Sequence, residues 1–269
     1  MTDDPQKSMA KKRTRKNAKK KRKTRRILHG VLLTLMLLGL GTLGVLGWQW
    51  MAELCVERIA LRGLHHADST ALIDLAQVDT GMVLFDVDPA LVADRVRRHP
   101  WVRKARAMRL PTGTLTISVW ERDPVVLVLG GRGQPAHFLD RTGFAMPATP
   151  GAVYDVPLLR GLRERVHPVR PLQNERLRGL LAALADADAE TDAIVSELEV
   201  QRSGQVVLHT TPVGARGSIP VRLGRTGFAE KLTRLRAFWR QAVLAQPDKN
   251  VTLIDLRFNG QIVTREAGE

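Results

Sequence analysis

The sequence predicts an α+β chain in which a single transmembrane helix is followed by two folded domains, the first ordered strand, helix, helix, strand, strand and the second hairpin-rich with interspersed helices. Three observations carry this. An uncharged apolar run follows a dense basic tail near the N-terminus. Residues 56 to 122 change hydrophobic period from two to about 3.6 and back. Beyond Pro124, short apolar runs alternate with Gly, Asp, Asn and Pro turns.

The formal charge is +15, which on its own suggests a nucleic-acid binder. Its distribution argues otherwise. Residues 1–26 hold thirteen Lys or Arg against Asp3 and Asp4, a net +11, so the other 243 residues carry only +4. A run such as Lys19-Lys20-Lys21-Arg22-Lys23 repels itself and has nothing to bury, so 1–26 is expected to be a disordered cytoplasmic tail. Residues 27–52 contain no Asp, Glu, Lys or Arg, and as a helix would reach roughly 39 Å against a hydrocarbon core of about 30 Å. Eight Leu between Leu32 and Leu46 favour insertion, and Trp48 and Trp50 stand where an interfacial aromatic belt belongs. The exit, Trp50-Met51-Ala52-Glu53-Leu54-Cys55, has no small-residue cleavage site, so the anchor is expected to stay. Positive charge before the span and a balanced flank after it place the N-terminus in the cytoplasm and the rest outside. With Cys55 as the only cysteine, the exterior can form no internal disulfide and must be held by its core.

The first domain is expected over 55–124. Val56 to Arg62 alternates as a short strand ended by Gly63. Ser69 can cap a helix carrying Leu72, Ile73, Leu75 and Ala76, and Asp88-Pro89 reads as N-cap and N1 of a second helix stopped by Pro100. Trp101 to Arg109 and Thr114 to Arg122 read as strands; in the latter Leu115, Ile117 and Val119 alternate with Thr116, Ser118 and Trp120.

The second domain is expected over 125–265, with 266–269 as a tail. Strands are predicted at 125–129, 136–139, 194–200 and 205–210, and helical stripes at Leu177, Leu180, Leu181, Leu184 and at Phe228, Leu232, Leu235, Phe238, Val243. Asp186 and Asp188 read as a solvated helix end. The chain closes on Val251 to Phe258, Asn259-Gly260 and Gln261 to Arg265, which predicts a tight hairpin with the last strand outermost. Thr252, Ile254, Leu256 and Phe258 would face the core, while Asp255 and Arg257 would pair.

No constellation for catalysis emerges. Gly39-Leu40-Gly41-Thr42-Leu43-Gly44 spells G-x-G-x-x-G inside the membrane span, with no preceding strand, and so is no nucleotide site. His65, His66 and Asp68 lack a second ligand pair. No cofactor, metal or catalytic residue is assigned. A membrane-tethered nucleic-acid binder is disfavoured because the exterior faces away from DNA.

His99-Pro100-Trp101-Val102, running through Arg109-Leu110-Pro111-Thr112-Gly113-Thr114-Leu115 to Val119-Trp120-Glu121-Arg122-Asp123-Pro124, resembles the FtsQ/DivIB family of bacterial cell-division proteins. So do Phe138-Leu139-Asp140-Arg141-Thr142-Gly143 and the ending Ile254-Asp255-Leu256-Arg257-Phe258. The resemblance implies a POTRA domain followed by the family's β domain. It also implies a non-enzymatic divisome assembly protein at the septum of the inner membrane. Such a protein binds FtsB/FtsL-like single-span partners and helps recruit or regulate septal peptidoglycan synthesis. Other POTRA-containing envelope scaffolds remain the alternative, although tandem POTRA copies and a long β-barrel are missing from this sequence.

Two docking surfaces are expected. Arg58 and Arg62, on the first strand, are charges whose role is recruitment rather than stability. The final strand, with Gln261, Ile262, Val263 and Thr264, is an open edge for an added partner strand, and the resemblance puts the aromatic Phe258 at the same interface.

Overall fold

The structure is a computed structural model and describes residues 5–148, 154–167, 169–213, 217–246 and 249–267, with side chains from His29 onward. Its contacts divide the chain into two compact units. One comprises Met1–Arg58, Asp79–Val87 and Arg109–Thr114, the other Ile59–Val78, Asp88–Met108 and Leu115–Glu269.

In the first unit, α1 runs unbroken over Pro5–Ala52. This corrects the expectation of a disordered tail from Pro5 onward, while residues 1–4 lie outside the described residues. Lys and Arg are good helix formers, and a helix already nucleated by an apolar span extends at little cost per residue. Within it, His29–Ala52 is long and apolar enough to cross a membrane. After α1 the chain is held by backbone bonds, Leu84 N–H to Leu54 O at 2.7 Å and Val56 N–H to Met82 O at 2.8 Å. Arg109 Nη1 donates to Phe85 O at 2.8 Å, with its guanidinium over the Phe85 ring.

The first folded domain has the predicted order: β1 (Arg58–Arg62), α2 (Ser69–Ala76), α3 (Pro89–Val96), β2 (Val102–Leu110) and β3 (Thr114–Glu121). Its sheet is ordered β1-β3-β2. The cap of α2 is Asp68 rather than Ser69, its carboxylate accepting from Thr70 N–H at 3.0 Å. That leaves Asp68 occupied in capping, while the backbone N–H groups of His65, His66 and Ala67 converge on the Glu121 carboxylate. Asp88 caps α3 as predicted, with Pro89 in the first turn. Leu115, Ile117 and Val119 are buried on one face of β3, and Leu72, Ala76, Val92 and Val96 are buried on the helices. Each of the buried Val, Leu and Ile side chains contributes about 1.5–3 kcal/mol by leaving water. Gly63 has φ +81°, and a Cβ there would lie 2.2 Å from the Val119 carbonyl oxygen, so β1 ends where only glycine fits.

The second domain contains β4 (Pro124–Leu129), β5 (Pro135–Asp140), β6 (Ala145–Pro147), β7 (Leu158–Arg160), α4 (Glu175–Ala185), α5 (Ala189–Ile194), β8 (Val195–Val200), β9 (Val206–Thr210), β10 (Pro220–Gly224), α6 (Phe228–Phe238), β11 (Val251–Asp255) and β12 (Val263–Glu266). They form a nine-stranded sheet, β12-β11-β10-β9-β8-β7-β4-β5-β6. Hairpins link β4 to β5, β5 to β6, β8 to β9 and β11 to β12, whereas β4/β7, β7/β8 and β10/β11 are parallel. The parallel pairs β7/β8 and β10/β11 are connected through helices, as parallel neighbours require. The stripes Leu177, Leu180, Leu181, Leu184 and Phe228, Leu232, Leu235 lie in one core with Leu198, Leu208, Val221, Leu223 and Ile254. A π-helical segment, Trp239–Leu244, prolongs α6 and buries Trp239 and Val243. Asp186 and Asp188 are caps flanking Ala187 in a three-residue break: Asp186 closes α4, and Asp188 opens the unpredicted α5 by accepting from Thr191 N–H at 2.9 Å.

Candidate functional site

The nine-stranded sheet has two ends. One is β6, three residues long and terminated by Pro147, which lacks a donor and so blunts the edge. The other is β12, which contains no proline and has no further strand beside it among the described residues. Val263 is 47% exposed there.

Local chemistry fixes this edge. β11 and β12 pair antiparallel, with Asp255 opposite Val263 and Ile254 opposite Thr264. Thr252 Oγ1 adds a bond to Arg265 O at 3.1 Å. On its other side β11 runs parallel to β10, and Leu256 N–H continues the ladder to Arg222 O at 3.0 Å. The predicted tight hairpin is therefore corrected: strands end at Asp255 and resume at Val263, so the connection is Leu256 to Ile262 rather than Asn259-Gly260 alone. The face assignment is corrected too. Thr252 is exposed and Phe258 is 50% exposed, while Val251, Ile254 and Leu256 are the buried apolar residues, with Asp255 buried beside them.

The predicted Asp255–Arg257 pair forms, and it governs the connection. Arg257 donates through Nε to Oδ1 at 2.9 Å and through Nη2 to Oδ2 at 2.6 Å, and its backbone N–H reaches Oδ1 at 3.1 Å. Burial pushes the Asp255 carboxyl up, but the hydrogen bonds and charge of Arg257, with Arg222 nearby, outweigh it and hold the group below the ordinary carboxylate range. From α6, Arg234 Nη1 donates to Phe258 O at 3.2 Å, which holds the Phe258 backbone while its ring stays half in solvent.

Lys231 was missed by sequence reasoning. It is 8% exposed, and its ammonium donates to Leu223 O at 2.6 Å and Thr226 O at 2.7 Å, tying the end of β10 to α6. Burial lowers its pKa, with Arg234 adding to the effect and Glu230 and Asp255 opposing it. The available signal was its position on the apolar stripe between Phe228 and Leu235.

Of the predicted docking residues, Val263 and Thr264 lie in β12, with Gln261 and Ile262 just before it. Phe258 lies in the same connection. Arg58 and Arg62 are the exposed ends of β1, an outer strand of the other sheet, and are not part of this group.

An apolar N-terminal helix long enough to cross a membrane, a three-stranded domain of β-α-α-β-β order and a strand-rich second domain define an α+β protein with a candidate membrane anchor. The model described as POTRA domain, FtsQ-type, matches residues 54–122, and FtsQ/DivIB, C-terminal related, matches 123–265. The chain is 48% identical to the cell division protein FtsQ of Rhodothermus marinus over 94% of this chain and 92% of that one. It is 45% identical to the cell division protein FtsQ of Salinibacter ruber, over 86% and 90% respectively. It belongs to the FtsQ/DivIB family of cell-division proteins.

Proposed function

We propose that this chain is a non-catalytic assembly protein of the division machinery that captures FtsB/FtsL-like single-span partners by strand addition and so helps recruit or regulate septal peptidoglycan synthesis. In this reading it is a single-pass protein of the inner membrane at the septum, with its N-terminus cytoplasmic, as the thirteen basic residues before the span favour. The observation that carries the proposal is the asymmetry of the nine-stranded sheet. One edge is shortened and ended by proline, while the other presents β12 with Val263 exposed and the half-exposed Phe258 in the preceding connection. An incoming extended segment pairs its backbone with β12 and reads Gln261, Ile262, Val263 and Thr264, with Phe258 as an apolar anchor. Arg58 and Arg62 serve a separate recruitment contact.

The experiment is Val263→Pro. It removes one backbone donor from an edge strand, where proline is tolerated. Melting within a few degrees of the parent with at least tenfold weaker partner binding supports strand addition. Unchanged affinity overturns it.

A further inference from the structure

We propose that Arg122 and Asp140 form a positioning pair that joins the POTRA domain to the β domain, so that the two behave as one body. The inference holds whatever docks at β12. Arg122 follows β3 directly, and β4 begins at Pro124, so Asp123 alone separates it from the second sheet. Asp140 ends β5 and lies in register opposite Pro124. Arg122 Nη1 and Asp140 Oδ2 are 2.7 Å apart, with the side chains only 10% and 4% exposed.

Both partners are fixed independently. The second oxygen of Asp140 accepts from Thr142 N–H at 2.9 Å, Thr142 Oγ1 at 2.7 Å and Phe144 N–H at 2.9 Å, so the turn after β5 sets the carboxylate. Arg122 N–H donates to Trp101 O at 2.8 Å, so the start of β2 sets the arginine backbone. The Phe144 ring lies 3.8 Å from the guanidinium carbon and seals it. A second, apolar contact runs alongside. Trp101, from the first domain, is 3% exposed in a cluster with Phe138 and Met146, and stacks on Tyr154 with centroids 5.7 Å apart. All of these residues belong to the second compact unit.

The apolar contact tolerates sliding; the ion pair does not. A rotation that separated the charges would leave a desolvated guanidinium and a desolvated carboxylate, each costly without its partner. The directional bond therefore selects one orientation out of those the aromatic cluster would permit.

The test uses the full-length protein in detergent, with Cys55→Ser and spin labels at Arg106→Cys and Gln201→Cys, one exposed site in each domain. The parent should give one narrow distance distribution. Arg122→Met, which keeps the aliphatic length, and Asp140→Asn, which keeps an acceptor for the turn, should each broaden it at least twofold. Leu208→Ala, a core truncation in the β domain, should lower the melting temperature without changing the width. Unchanged width in Asp140→Asn or Arg122→Met overturns the proposal, as does equal broadening in Leu208→Ala.

Discussion

Replacing Asp255 with Asn tests how the proposed docking edge is held, because it removes a charge with almost no change of shape. In the parent, the two carboxylate oxygens take the Arg257 fork, and Arg222 Nη1 stands 3.8 Å away. An amide keeps one acceptor and turns an NH2 toward the remaining donors, so one charge-assisted bond is lost. Such bonds contribute about 1.5–3 kcal/mol. Arg257 is a third exposed and regains some hydration, which puts the loss near the lower end, about 1.5–2 kcal/mol. For a folded region of this size that corresponds to roughly 3–8 °C in melting temperature. The pH dependence adds a sign. The Asp255 carboxyl titrates below its ordinary value of 3.8 in the folded protein, so its stabilisation is fully present above that value and is lost as pH falls through the lower folded pKa. The gap between parent and variant should be constant from pH 5 to 8 and shrink below about pH 4. Melting of both proteins across that range is the assay. A gap under one degree at pH 7, or one that persists undiminished into acid, refutes the reasoning.

Two further outcomes are expected. Burial holds His137 and His99 below the ordinary histidine value of 6.5, with Glu121 and Asp68 partly opposing it at His99. As pH falls below 6.5 the unfolded chain takes up protons that the folded chain does not, so melting temperature should decline between pH 6.5 and 5, and less steeply in His137→Gln. An identical decline in that variant contradicts the assignment. Arg58→Glu and Arg62→Glu, at exposed positions of β1, should change stability by no more than about 1 kcal/mol while reducing recruitment to the division site. Equal loss of melting and localisation would make these residues structural.

Much of the fold was legible because it rests on local chemistry. Asp88-Pro89 capped and opened α3, Leu115, Ile117 and Val119 marked the buried face of β3, and the Leu177–Leu184 stripe located α4. The misses share one cause, which is that tertiary pairing decided them. Leu158–Arg160 is too short to show a period, yet it bridges β4 and β8 in the middle of the sheet. Pro220–Gly224 opens with proline, a breaker by sequence, but proline is tolerated at the first position of a strand. Asn259-Gly260 signalled a tight turn. The ladder bond from Leu256 to Arg222 and the Asp255 hold on Arg257 end β11 earlier and lengthen the connection. At the candidate site the edge itself and the Asp255–Arg257 pair could be read in advance. The exposure of Phe258 could not, because alternation past Asp255 assumes a strand that has already stopped.

The most direct test of the central claim is amide hydrogen exchange of the full-length protein in detergent, with and without an FtsB-like partner. Strand addition predicts that amides within Val263–Glu266 exchange at least tenfold more slowly in the complex, in an every-other-residue pattern, because only alternate amides of an edge strand point outward. β6 at the opposite end should be unaffected. Saturating partner that leaves Val263–Glu266 exchanging at the free rate, with protection elsewhere, would contradict the account.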